Sequence, residues 1–153
     1  MDPQVMNNRK SWDEYFLDLA QKISERSTCI RRQIGAIAVR EKRILATGYN
    51  GAPSGLKHCL DIGCLREKLK VQSGQRHELC RGLHAEQNVI IQAARFGISL
   101  EGGVLYIHGA TPCAICAKML INVGLVKIIC SQAYPDKLAN DLFIEANLDI
   151  KII

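Results

Sequence analysis

The sequence predicts an α/β fold in which an antiparallel hairpin joins a parallel sheet and helices cover the faces. Its second half alternates short apolar runs with amphipathic stretches: "GVLYIHG", "CAICAKMLINVG", "VKIICS", "KLANDLFIEAN" and "LDIKII". Helical crossovers between such strands favour parallel pairing. Ahead of them, "IGAIAVR" and "RILATGYN" flank a charged "EKR", the pattern of a two-stranded hairpin. At the start, "SWDEYFLDLAQKISERS" repeats its apolar residues at helical spacing.

The elements follow in order. The first helix is expected over Ser11 to Ser27, with Tyr15, Phe16, Leu19 and Ile23 on one face, Ser11 as N-cap and Glu14 completing a capping box. After the hairpin, periodicity fails from Gly51 to Arg81. That segment holds Cys59, Cys64, Cys80, His58 and His77 among many charges. A structureless loop of ~30 residues inside a compact domain needs a functional reason or a tie, and cysteine ligation would supply one. Then "AEQNVIIQAARFG" restores the helical period at Val89, Ile90, Ala93 and Ala94 and stops at Gly97.

A length of 153 residues fits one domain, residues 1–153, carrying a Cys/His-rich insertion at about 51–81. The 48% hydrophobic and 23% charged fractions are those of an ordinary globule, so disorder is expected in the first residues, "MDPQVMNNRK", at most. No apolar run approaches the ~20 residues that span a bilayer, and the polar N-terminus lacks the apolar core of a secretory signal. The expected location is the cytoplasm. Seven cysteines, an odd number, then point to free thiols or metal ligands rather than a disulfide framework. The net charge of +5 includes two small clusters, "CIRR" and "REKLK". They are compatible with an anionic ligand, phosphate or nucleic acid, and equally with solubility alone.

"RGLHAEQNVII" places His84 and Glu86 two residues apart at a helix start. Alone, the pair reads as a cap-region histidine and a first-turn carboxylate favoured by the helix dipole. "TPCAICAK" changes that reading. Cys113 and Cys116, at i and i+3, project from the same side of another helix start, with Thr111 as cap and Pro112 at the first helical position. The exposed amides there favour thiolate. Two cysteines alone would also describe a redox pair or two buried thiols. With His84 as a third ligand they form a tetrahedral zinc site whose fourth position is open, the arrangement of catalytic zinc. Glu86 would then stand beside the metal without binding it, as general base and acid. His-x-Glu followed by Pro-Cys-x-x-Cys is the signature of zinc nucleobase deaminases.

Together with "RSTCIRRQIGAIAV", "ATGYNGAPSGLKHC" and "YPDKLANDLFIEANLDI", these motifs make nearly the whole chain resemble the cytidine and deoxycytidylate deaminase superfamily. Within it the resemblance is to deoxycytidylate (dCMP) deaminases and their competence-protein relatives. It implies a cytidine-deaminase-like three-layer α/β/α sandwich with a five-stranded mixed sheet. It also implies zinc-dependent hydrolysis of dCMP to dUMP and ammonia, supplying dUMP for thymidylate synthesis. Backbone around Ala85 and residues 111–113 is expected to hold the pyrimidine edge, Asn50 the sugar, and Arg26 and Ser27 the 5′-phosphate, with Tyr134 lining the pocket. An Asn-Gly turn, solvated surface and an ordinary half-buried tyrosine are the respective alternatives for Asn50, for Arg26 with Ser27, and for Tyr134.

The resemblance further implies a homo-oligomer, hexamer or dimer, and control by dCTP and dTTP with Mg²⁺. A second, structural zinc is expected on Cys29, Cys59 and Cys80 or His77; free thiols packed under a long loop are the alternative. Two rival functions stand beside dCMP deamination. A deaminase of bases within RNA or DNA would use the +5 charge and "CIRR" as its footprint, but few aromatics are evident for stacking a flipped base. A catalytically silent zinc-binding competence-type protein would not need Glu86, which is present.

Overall fold

The computed structural model describes residues 8–153, so the disorder expected of the first residues falls largely outside the described chain. The elements are α1 (Trp12–Ser24), β1 (Gly35–Arg40), β2 (Arg43–Tyr49), α2 (Cys59–Ile62), α3 (Leu65–Lys68), a 3-10 turn (His77–Leu79), α4 (Ala85–Phe96), β3 (Val104–His108), α5 (Ala114–Asn122), β4 (Lys127–Cys130), α6 (Lys137–Glu145) and β5 (Asp149–Ile152). The strands form one five-stranded mixed sheet in the order β2-β1-β3-β4-β5. As the sequence predicts, β1 pairs antiparallel with β2 while β3, β4 and β5 run parallel. β1 also pairs antiparallel with β3, which joins the hairpin to the parallel part.

Side chains alternate across the sheet and divide the core into two layers. Ala36, Ala38, Leu105, Ile107, Ile128 and Cys130 face α4, α5 and α6. Ile37, Val39, Tyr106 and Ile129 face α1. Each of the large aliphatic residues here is at most 2% exposed apart from Val39 at 4%, and such burial contributes roughly 1.5–3 kcal/mol per side chain.

The capping box of Ser11 and Glu14 forms as expected. The buried stripe of α1 differs from the expected one: Phe16, Leu17 and Ala20 are buried, Leu19 and Ile23 pack at the margin, and Tyr15 is exposed. The exposed Tyr15 ring lies edge-on against Trp12 and the buried Phe16. The helix also stops at Ser24, three residues before the expected Ser27. In the hairpin, Glu41 and Lys42 both take positive φ, 51° and 61°, the geometry of a primed turn that matches strand twist.

The insertion is tied at its base. Gly51 and Leu83 exchange backbone hydrogen bonds of 3.1 and 2.8 Å immediately before α4. Between them the chain forms only α2, α3 and the 3-10 turn. α4 itself is fixed to β2. A Cβ on Gly48 would lie 2.4 Å from the Ala85 carbonyl oxygen, so only glycine lets the helix start sit this close to the strand. Asn88 Nδ2 donates to the Tyr49 carbonyl and Gln92 Oε1 accepts the Thr47 N–H, both at 2.7 Å, so α4 covers groups of an edge strand. Among the described residues no helix is long and apolar enough to cross a membrane.

Candidate metal centre and active-site cavity

Two helix starts meet at one end of the sheet. His84 is the N-cap residue of α4, its backbone N–H bonded to Gln87 Oε1 at 2.8 Å. Cys113 is the N-cap residue of α5, and Cys116 lies within the first turn of that helix. His84 Nδ1 lies 3.6 Å from Cys113 Sγ and 3.3 Å from Cys116 Sγ, and the donor atoms of the three residues all fall within 4.8 Å of one another. Zinc–sulfur bonds of ~2.3 Å and zinc–nitrogen bonds of ~2.0–2.1 Å at tetrahedral angles require ligand separations of about 3.5–3.8 Å. The set therefore fits one zinc ion, with a fourth corner left to a non-protein ligand.

Electrostatics prepares the set for a cation. The hydrogen bond from Cys116, with that of His84, draws the Cys113 thiol down to about 3, so it is a thiolate at neutral pH. The same sharing, with burial, pushes Cys116 up. His84 is raised chiefly by its bond to Cys113, while the charge of Arg66 opposes that. Glu86, in the first turn of α4 and 4% exposed, is raised by burial. Its Oε2 accepts from Cys116 Sγ at 3.8 Å, which places it beside the ligand set and outside it.

The start of α5 is built differently from expectation. Thr111 does not cap it, because Cys113 occupies the N-cap position two residues later. Thr111 Oγ1 instead accepts the Tyr134 N–H at 2.7 Å and donates to the Tyr134 carbonyl at 2.8 Å, tying the loop after β3 to the loop after β4. The cap comes from Asp136: Oδ2 accepts the Ala114 N–H at 2.9 Å and Oδ1 accepts the Ala139 N–H at 3.0 Å, so one carboxylate serves α5 and α6. An aspartate just before "KLANDLF" is a legible cap for α6, but nothing local shows that it also reaches α5.

Beside the three candidate metal ligands a cavity opens, lined by Asn50, Ala85, Glu86 and Tyr134 among others. Asn50 Oδ1 accepts the Ile34 N–H and Nδ2 donates to the Arg32 carbonyl, both at 2.9 Å, so its side chain also holds the loop before β1. Tyr134 is half-buried beneath the Arg32 guanidinium, 5.1 Å from its ring. Arg26 and Ser27 are not on the cavity wall. Arg26 is exposed, and the buried Ser27 hydroxyl donates to the Arg32 carbonyl and accepts the Cys29 N–H, both at 3.2 Å. The cations that do line the cavity are Arg31, Arg32 and Arg66, from the two basic clusters of the sequence.

Cys29, Cys59, Cys80 and His77, expected around a second zinc, all line this cavity, with Cys64 beside them. Burial pushes the Cys59 thiol up, and the neighbouring Cys29, Cys80 and Cys64 reinforce that. Among the described residues, however, only the His84 group brings three metal-binding atoms within 4.8 Å of one another. His77 turns toward that group, its ring edge-on to His84 at 5.4 Å. All seven cysteines are free.

Residues 10–132 match the family described as the cytidine and deoxycytidylate deaminase zinc-binding region. The chain belongs to this deaminase family. Deoxycytidylate deaminase of Saccharomyces cerevisiae is 38% identical over 128 residues, which cover 82% of this chain and 39% of the yeast protein. The chain thus spans well under half the length of that relative. ComE operon protein 2 of Bacillus subtilis is 35% identical over 144 residues, covering 94% of this chain and 71% of that protein. The fold superposes on the crystal structure of dCMP deaminase from cyanophage S-TIM5 in complex with dCMP and dUMP, with a TM-score of 0.76 and 28% identity over 99% of both chains. The family's zinc-binding region includes all three converging ligands, His84, Cys113 and Cys116.

Proposed function

We propose that the protein hydrolyses dCMP to dUMP and ammonia, supplying dUMP for thymidylate synthesis, as one deaminase unit over residues 1–153. The observation that carries this is a buried carboxylate, Glu86, set against a three-ligand metal site at the floor of a cavity walled by arginines. The likeness to a dCMP deaminase solved with dCMP and dUMP supports the choice of substrate.

His84, Cys113 and Cys116 would hold zinc, which when bound supplies a Lewis acid that lowers the pKa of water toward ~7. The remaining work falls to this chain's own groups. Glu86 accepts a proton from the attacking water and passes it to the ring nitrogen as the water oxygen bonds to the amino-bearing carbon; it then takes that oxygen's second proton and delivers it to the amino group, so that the carbon–nitrogen bond breaks and ammonia leaves. Burial, which raises its carboxyl, suits it to hold a proton between the two transfers. Backbone at Ala85 and at residues 111–113 meets the pyrimidine edge. Asn50 and Tyr134, both on the wall, meet the sugar and close the pocket.

The expected second metal stays a proposal on its expected ligands, Cys29, Cys59 and Cys80 or His77, all of which line the cavity. Assembly into a homo-oligomer rests on resemblance, and free thiols throughout fit a reducing, cytoplasmic setting. Control by dCTP and dTTP with Mg²⁺ belongs to the same reading and rests on resemblance alone.

The test is ammonia release from a panel of cytosine compounds by zinc-replete protein. Turnover of free dCMP, with none on cytosine or adenosine inside a single-stranded oligonucleotide, is expected. Turnover confined to the oligonucleotide would replace this reading with nucleic-acid deamination. A full zinc content with no turnover at all would replace it with a silent zinc-binding protein.

A further inference from the structure

We propose that Thr111 is a positioning residue for substrate: its buried hydroxyl holds Tyr134 against the cavity and so sets affinity for the nucleotide, leaving the metal to other groups. This rests on the dCMP reading above and assigns one side chain to the fit of that substrate.

The parallel strands β3 and β4 stay paired as far as Ile107 and Cys130, and beyond that point their chains part. A crevice at the carboxyl ends of parallel strands is where α/β folds bind ligands. Here backbone and hydroxyl groups continue the pairing past the last strand residues. The Ser131 N–H donates to the Ile107 carbonyl at 3.0 Å, and Ser131 Oγ accepts the Gly109 N–H at 3.1 Å. Thr111 Oγ1 forms the last rung, bonded to both main-chain groups of Tyr134 at 2.7 and 2.8 Å, and the residue is only 8% exposed. A threonine hydroxyl beside a helix start ordinarily bonds its own neighbouring backbone. This one spends its donor and an acceptor on a single residue 23 positions away.

Three restraints converge on Tyr134. Thr111 fixes its main chain, the Arg32 guanidinium covers its ring at 5.1 Å, and a Cβ on Gly74 would lie 2.5 Å from its hydroxyl, so the insertion rests on the far end of the side chain. With both ends held, the ring meets the cavity in one place, and a wall set in advance loses little freedom on binding. One rival use exists for the Thr111 hydroxyl. It would fasten the start of α5, and with it Cys113 and Cys116, but Asp136 already does so through the Ala114 N–H on the other side of Cys113.

Thr111→Val removes the hydroxyl at nearly constant shape, and Thr111→Ser restores it. The dissociation constant of dUMP, zinc content, and KM and kcat for dCMP are measured for the parent, for both variants, and for Thr111→Val in a Tyr134→Ala background. Loss of the hydroxyl should weaken dUMP and raise KM by about 3- to 10-fold, with kcat within about twofold and zinc unchanged. Thr111→Ser should return both to within about twofold of the parent. With Tyr134→Ala already in place, Thr111→Val should change dUMP binding by less than about twofold, because it acts through that side chain. Labelling with 3-fluorotyrosine supplies a readout that needs no nucleotide. Of the four tyrosine signals, the one lost in Tyr134→Phe should shift or broaden in Thr111→Val and keep its place in Thr111→Ser. If Thr111→Val does not fold, Thr111→Ala carries the same comparison. An unmoved Tyr134 signal, a weakening that persists without the Tyr134 ring, or a loss of zinc or kcat would overturn the assignment. The expected signal change in a protein that neither binds dUMP nor turns over dCMP would instead overturn the proposed reaction and leave the hold of Thr111 on Tyr134 standing.

Discussion

One wall of the cavity is made of regular structure and the opposite wall is not. His84, Glu86, Cys113 and Cys116 sit on the first turns of α4 and α5, held by Gly48, Gln87 and Asp136 against a sheet whose core is fully buried. Arg66, His77 and the thiols Cys59, Cys64 and Cys80 sit on short turns of an insertion tied mainly at its base, Gly51 to Leu83. Donors that must converge within a few tenths of an ångström on one ion lie on the rigid side, and the thiols and Arg66 lie on the side built of short turns.

The largest expected effect lies on the rigid wall. Cys116→Ala should lose its zinc and bring deamination to background, because two remaining ligands do not hold the ion against water. Metal analysis and ammonia release on the same preparation check it, and full metal with near-parent turnover would show that the rigid wall is not the metal site.

A smaller effect is expected at Asp136, which caps two helices at once. Asp136→Ala should lower stability by about 1–3 kcal/mol, since an N-cap loss typically costs ~0.5–2 kcal/mol. Urea unfolding measures it. A change near zero would mean that the N-terminus of α5 is satisfied without this carboxylate.

The smallest effect is a difference in thiol reactivity. Burial, with the Glu86 charge, pushes Cys130 at the end of β4 up from 9.0 to about 12. Between those values the unfolded chain ionises this thiol while the folded chain keeps it protonated, so its contribution to stability falls as pH rises through that window. In chelator-treated folded protein at pH 8, iodoacetamide should label the half-buried Cys29 and Cys80 well before Cys130. Labelling in the reverse order would mean that the wall carrying Cys29 and Cys80 is better packed than the end of β4.

The same division explains what the sequence disclosed. His84 with Glu86, and Cys113 with Cys116, are two or three residues apart on helix starts, so local spacing alone sets their geometry. The Ser11 and Glu14 box was legible for the same reason. Thr111 was misassigned as a cap because the true cap, Asp136, arrives from a loop more than 20 residues away, at a separation of 22 positions from Ala114. Tyr15 shares a helical face with Phe16, Leu19 and Ile23 in the sequence, but the buried stripe of α1 runs through Phe16, Leu17 and Ala20, a rotation that spacing alone does not fix. Arg26 and Ser27 were chosen for the phosphate by position in a motif, whereas Arg31 and Arg66 reach the cavity through folds of aperiodic chain. The basic clusters around them were visible in the sequence, but their shared wall was not.

Glu86→Gln tests the central claim most directly, because it separates proton transfer from metal binding. The amide keeps the size and a hydrogen-bonding role but neither accepts the water's proton nor delivers one to the ring. The variant should fold, hold the parent's zinc content and bind dUMP as the parent does, while turnover of dCMP falls by more than the ~10²–10⁴-fold usual for losing a general acid or base. A fully zinc-loaded Glu86→Gln protein that deaminated dCMP within about tenfold of the parent would contradict the account, leaving Glu86 as an ordinary buried carboxylate beside a metal site.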